Sequence, residues 1–119
     1  MPVSVLVVDD DVRFRGLAAR MLRAVGMAVI GEVGTVAAAV QAAALLRPDA
    51  ILLDVGLPDG DGVTLAAELA LLPWKPRILL ISSDRDATTS ADARFAGAVG
   101  FVAKDDLPDS ALARLLASS

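Results

Sequence analysis

The chain has 119 residues and a mass of 12.2 kDa, which supports one packed core and not two, so residues 1–119 are expected to form a single domain. A hydrophobic content of 55% with 22% charged residues excludes intrinsic disorder, and a net charge of −4 argues against nucleic-acid binding through bulk charge. Cys and His are both absent, which excludes disulfides, thiolate and imidazole metal sites, Ser-His-Asp triads and any histidine phosphocarrier role.

The apolar pattern alternates between short β-rich runs and helical stripes. Val3 to Val8 is rich in β-branched residues and reads as a buried strand. Phe14, Leu17, Ala18, Met21, Leu22 and Val25 recur at offsets of three and four and predict a helix, ended by Gly26. Ala28–Val33 predicts a second strand, and Val36–Leu46 a second helix closed by Pro48. Ala50–Leu53 reads as a third strand, Asp59–Gly62 as a loop, and Val63–Leu72 as a third helix ending at Pro73. Arg77–Ile81 is a fourth strand. A weaker helix is expected over Ala87–Ala96, stopped by Gly97. Val99–Ala103 is a fifth strand, and Pro108 suits the first turn of a last helix ending near Ala117.

No stretch is long and apolar enough for a membrane span, and Met1-Pro2 leads into a strand without a basic signal region. A cytoplasmic protein is the expectation. Five strand–helix repeats with short connections imply an α/β fold: a doubly wound, five-stranded parallel sheet of flavodoxin-like order 2-1-3-4-5.

In such sheets ligands bind beyond the carboxyl ends of the strands. Asp9, Asp10 and Asp11 follow strand one, Asp54 strand three, Ser82 and Ser83 strand four, and Lys104 strand five. Three carboxylates in one crevice repel each other, so their pKa values rise or a cation neutralises them. All-oxygen ligands suit Mg²⁺. Lys104 adds a second positive charge and Ser82 a hydroxyl donor, which together make a pocket for a phosphoryl group. Asp54 is then a plausible nucleophile.

Each residue also has a plainer reading. For Asp11 alone, a helix N-cap is the preferred role. A cap accounts for one residue of the Asp9–Asp10 pair but not both. Ser82 and Ser83 taken alone could be loop residues, Lys104 a solvated strand end, and Phe101 a simple strand residue. Yet the chain uses Arg nine times and Lys twice, so a Lys at position 104 carries information.

Taken jointly, these residues resemble the receiver domain of bacterial two-component response regulators over essentially the whole chain. Val7-Val-Asp-Asp10 is similar to the family's acidic pair. Asp54 followed by Pro58 and Gly62 has the spacing of its phosphoacceptor loop, Ile81-Ser82-Ser83 resembles its hydroxyl motif, and Gly100-Phe-Val-Ala-Lys104 its lysine motif.

The resemblance implies that Asp54 takes a phosphoryl group from the histidine of a sensor kinase. It implies that Asp10 binds Mg²⁺ (or Mn²⁺) directly, Asp9 through water, and that Asp54 and the Gly56 backbone carbonyl complete the ligands. Ser82 and Lys104 would each bond a phosphoryl oxygen. Phe101 would be an aromatic switch, turning inward as Ser82 moves and altering the face of helix four, strand five and helix five. The activity implied is self-catalysed phosphorylation and dephosphorylation only, with no membrane or direct nucleic-acid partner and room for a phosphorylation-dependent dimer.

Lys104 is followed by Asp105 rather than Pro, which resembles the NarL/LuxR-type subfamily, whose members usually add a C-terminal DNA-binding domain and regulate transcription. Gly56 has no side chain to guide an attacking water, and Phe101 lacks the hydroxyl of the more usual Tyr. Two alternatives stand beside this reading. A haloacid-dehalogenase-type phosphatase would need Thr or Val where Asp9-Asp-Asp-Val-Arg13 has Arg, and a cap domain that the chain lacks room for. A degenerate receiver would signal without phosphate, against which the complete set of site residues argues.

Overall fold

Val5 to Val8, Ala50 to Leu53 and Ile78 to Ile81 are shielded from solvent on both sides, as strands sandwiched between two helical layers must be. They belong to strands β1 (Ser4–Val8), β3 (Ala50–Asp54) and β4 (Arg77–Ser82) in a computed structural model that describes residues 2–107 together with Leu112 and Leu116. β2 (Ala28–Val33) and β5 (Gly100–Ala103) are the edges of the sheet. All pairings are parallel and the order is β2-β1-β3-β4-β5, the topology expected from the strand–helix alternation.

Side chains alternate between two cores. Leu6, Val8, Ile51, Leu53, Ile78 and Leu80 face α2 (Val36–Leu46), α3 (Gly62–Leu69) and α4 (Ser90–Phe95). Val5, Val7, Leu52, Leu79 and Ile81 face α1 (Val12–Ala24), with Leu107, Leu112 and Leu116 on the same side. Leu112 and Leu116 are helical, buried and four residues apart, as one face of a helix requires. The rest of the helix expected after Pro108 lies outside the described residues. Buried leucines at these positions each stabilise the fold by about 2–5 kcal/mol relative to Ala.

Several boundaries differ from the sequence reading, each for a local reason. α1 buries Ala18, Ala19 and Leu22, while Leu17, expected on the inner stripe, is 44% exposed. The periodicity allowed a face rotated by one residue, and small Ala19 permits the closer approach. Gly26 does follow the helix end, with φ of 89°. α3 stops at Leu69, short of Leu72, because the amides of Leu71 and Leu72 tighten onto the Glu68 and Leu69 carbonyls ahead of Pro73.

α4 begins only at Ser90. The preceding polar side chains capture the backbone first: Asp84 N donates to Ser82 Oγ at 3.0 Å and Asp86 N to Asp84 Oδ1 at 2.9 Å. Thr89 then caps the helix through Asp92 N at 3.0 Å. The expected loop at Asp59–Gly62 belongs to a small antiparallel hairpin, Gly56–Leu57 with Gly60–Asp61.

Candidate functional site

Strand register assembles the site. Val8 pairs with Leu53, so Asp9 and Asp54 are the next step along adjacent strands. Asp54 pairs with Ile81 and Ser82 with Ala103, so Ser82 and Lys104 each stand one residue further on the next strand out. A parallel register thus carries four residues from four strands to one edge of the sheet.

Asp9, Asp10 and Asp54 each offer a carboxylate oxygen within 4.8 Å of the others. Asp9 is fully buried, Asp54 is buried and Asp10 is exposed. Asp9 Oδ1 accepts the Asp11 amide at 2.9 Å. Its Oδ2 lies 2.7 Å from Lys104 Nζ, yet at an angle that leaves it without a directed hydrogen bond. Lys104 Nζ is also 3.7 Å from Asp54 Oδ2, so one ammonium bridges both carboxylates. Asp54 Oδ1 accepts the Gly56 amide at 3.3 Å. Burial pushes the Asp54 carboxyl from 3.8 up to about 6; repulsion from Asp9 adds to this, Lys104 and the Gly56 amide pull it back, and Asp10 contributes a little.

Three converging carboxylates, one of them a buried oxygen lacking a directed donor, form an all-oxygen set suited to a hard divalent cation. Ser82 is buried and its Oγ accepts the Asp84 amide, leaving the hydroxyl hydrogen uncommitted among the described residues. Ser83 is exposed. Phe101 is partly buried on β5 and packs into the core of α2, α3 and α4. Asp11 is the N-cap of α1, accepting from Arg13 N and Phe14 N. Asp9, the nucleophile that a dehalogenase-type phosphatase would require, is enclosed and ion-paired.

The sequence reading missed four contributors. The Phe14 ring, assigned to the core stripe, lies 4.4 Å from Lys104 Nζ and supports that ammonium through a cation–π contact. Arg15 Nη1 donates to the Asp9 carbonyl at 2.8 Å. Asp59 accepts from Val36 N at 2.7 Å and Ala37 N at 3.1 Å, tying the hairpin to the start of α2. These two bonds hold its carboxyl below the usual carboxylate range. Gly62, noted only for its spacing, packs so tightly that a Cβ there would collide with the Asp54 carbonyl oxygen and approach Val55 Cα to 2.7 Å. Only the first turn of α1 signalled any of this, since it faces the carboxyl end of the sheet.

The chain belongs to the response regulator receiver domain family, whose model matches residues 5–116. It is 39% identical over 104 residues to the DNA-binding transcriptional activator DevR/DosR of Mycobacterium tuberculosis, covering 87% of this chain and 48% of that protein. It is 38% identical over 106 residues to a protein-glutamate methylesterase/protein-glutamine glutaminase of Alkalilimnicola ehrlichii, covering 87% of this chain and 27% of that protein. The chain therefore spans half or less of the length of these curated relatives. Among solved structures, the signal receiver domain of NarL from M. tuberculosis superposes with a TM-score of 0.80 at 32% identity, covering 96% of both chains. A Burkholderia pseudomallei response regulator with a phosphorylated aspartic acid, calcium ion and citrate superposes with a TM-score of 0.81 at 28% identity, covering 98% of this chain and 67% of that one. No helix among the described residues is long and apolar enough to cross a membrane.

Proposed function

We propose that Asp54 is the phosphoacceptor of this receiver, that Asp9, Asp10, Asp54 and the Gly56 carbonyl hold Mg²⁺ or Mn²⁺, and that Ser82 and Lys104 receive the phosphoryl oxygens. The observation that carries this is the position of Asp54: buried, 3.7 Å from Lys104 and flanked by two further carboxylates. A carboxyl raised to about 6 is largely ionised at neutral pH yet more basic, and so more nucleophilic, than an ordinary aspartate.

In the step itself, an Asp54 oxygen attacks the phosphorus of a kinase phosphohistidine. The phosphorus–nitrogen bond breaks and its electron pair returns to the imidazole. A bound divalent cation would offset charge on the phosphoryl oxygens. Lys104, already shared between Asp9 and Asp54, needs only a short shift to pair with the new phosphate. The uncommitted Ser82 hydroxyl can donate to another oxygen, releasing its loop and giving Phe101 space to turn. The affected face comprises α4, β5 and the helix beyond Pro108.

This reading gives the protein a sensor histidine kinase as donor, a DNA-binding output domain as the regulated element, and a cytoplasmic location. The relative named as a DNA-binding activator supports the output. The phosphorylated aspartate in the Burkholderia protein supports the chemistry. Incubation with acetyl phosphate and Mg²⁺ is expected to add one phosphoryl group by intact mass. Asp54→Asn or EDTA should abolish the gain. Undiminished labelling of Asp54→Asn would overturn the assignment.

A further inference from the structure

Asp9 stands one residue beyond β1, and its peptide is held on both sides. Its N–H continues the sheet ladder to the Val33 carbonyl at 2.9 Å. Its carbonyl has no ladder donor. In a parallel register that donor would be the Thr35 amide, but at Thr35 the chain has turned to cap α2. Arg15 replaces it, with Nη1 2.8 Å from the Asp9 oxygen.

The guanidinium occupies a prepared seat. A Cβ on Gly34 would lie 2.9 Å from Arg15 Nη1 and meet nothing else closer than 3.5 Å. Gly34 is not among the residues with positive φ, so it serves here by leaving room rather than by backbone freedom. Glu32 Oε1 faces Arg15 Nε at 3.8 Å, and the Arg15 side chain is only 20% exposed. The planar fork of Arg presents separate nitrogens to the two groups, Nη1 to the carbonyl and Nε to the carboxylate, where a lysine has only one nitrogen to share between them.

We infer that Arg15, seated against Gly34 and facing Glu32, is a positioning residue that holds the Asp9–Asp10 peptide so that both carboxylates converge on Asp54 to bind the divalent cation. The inference rests on the metal reading proposed above. Arg15 touches no reacting atom. It acts through the Asp9 carbonyl, so its loss moves the ligands without removing one. Partners of this kind change metal affinity by 10- to 100-fold in known sites.

The test is Mg²⁺ affinity by calorimetry on the intact chain, beside urea unfolding in EDTA to report stability separately. Arg15→Met keeps the stem and loses the donors, and should weaken Mg²⁺ binding about tenfold. Arg15→Lys keeps the charge with a single donor nitrogen and should recover part of that loss. Gly34→Ala should also weaken binding, because its methyl group displaces the guanidinium. The decisive result is the double variant, which should bind no more weakly than Arg15→Met alone. Multiplicative losses would overturn the inference, as would unchanged affinity in Arg15→Met beside a wild type that binds. If Arg15→Met fails to fold, Gly34→Ala against Arg15→Lys carries the same decision. A wild-type chain that takes up no Mg²⁺, or an Asp10→Asn variant that binds as tightly as wild type, would overturn the metal reading and this inference with it.

Discussion

The loops that follow β3 and β4 leave the sheet side by side, Asp54 opposite Ile81, but they are built in opposite ways. The first is anchored along its length. Its hairpin closes on itself, Gly62 N donates to the Val55 carbonyl at 2.7 Å, Asp59 binds two amides of α2, and Asp61 caps α3. The second is held by short-range turns from Ser82 and Asp84 and by one exposed pair, Arg85 with Asp106 at 2.7 and 3.1 Å. It leads into a six-residue helix whose single buried residue is Ala93. The Asp54 side is preorganised, while the side proposed to respond to phosphate has few contacts to lose when it moves.

The sharpest way to break this contrast is Gly62→Ala. The clash is with the Asp54–Val55 backbone, which cannot step aside as a side-chain tip can. A loss of about 3–5 kcal/mol in urea unfolding is expected. A loss below about 1 kcal/mol would mean that the β3 loop is as adaptable as its neighbour.

Next in size is Asp54→Asn in EDTA. The folded pKa of Asp54, about 6, lies above its ordinary 3.8, so the folded chain holds the proton more tightly than the unfolded one. Wild-type stability therefore falls as pH rises from about 4 through 6, and the ionised carboxylate costs about 3 kcal/mol at pH 7. The variant should be more stable than wild type at pH 7 by a similar amount, with the advantage vanishing near pH 4. Equal pH profiles would show that burial at Asp54 carries no such strain.

The smallest effects compare the two loops directly. Asp59→Ala should speed hydrogen exchange at Val36 and Ala37, because both amides lose their acceptor. That protection should also fade in wild type as acid protonates Asp59, below the usual carboxylate range. Arg85→Ala should leave the unfolding midpoint unchanged within error, since the pair is exposed and screened. A larger cost for Arg85→Ala than for Asp59→Ala would reverse the comparison.

The crossover rule and the commonest five-strand topology supplied the strand order, while periodicity and punctuation were enough to place all five strands and the carboxylates, hydroxyl and lysine at their ends. Those placements are local: a strand's hydrophobic run and the polar residue after it are adjacent in the chain. Helix ends were less legible, because Ser82, Asp84 and the turn after Leu69 compete for backbone hydrogen bonds that periodicity does not register. The contacts that support the site were hardly legible. Phe14 under Lys104 and Asp59 on α2 join segments distant in the chain, while Arg15 on Asp9 and Gly62 against Asp54 are closer in sequence but depend on how each turn leaves the sheet. Sequence alone determined which charged and hydroxyl groups stand at the strand ends. Tertiary structure decided how far apart they stand and which of them share Lys104, because those distances depend on strand register and on the room left at Gly34 and Gly62.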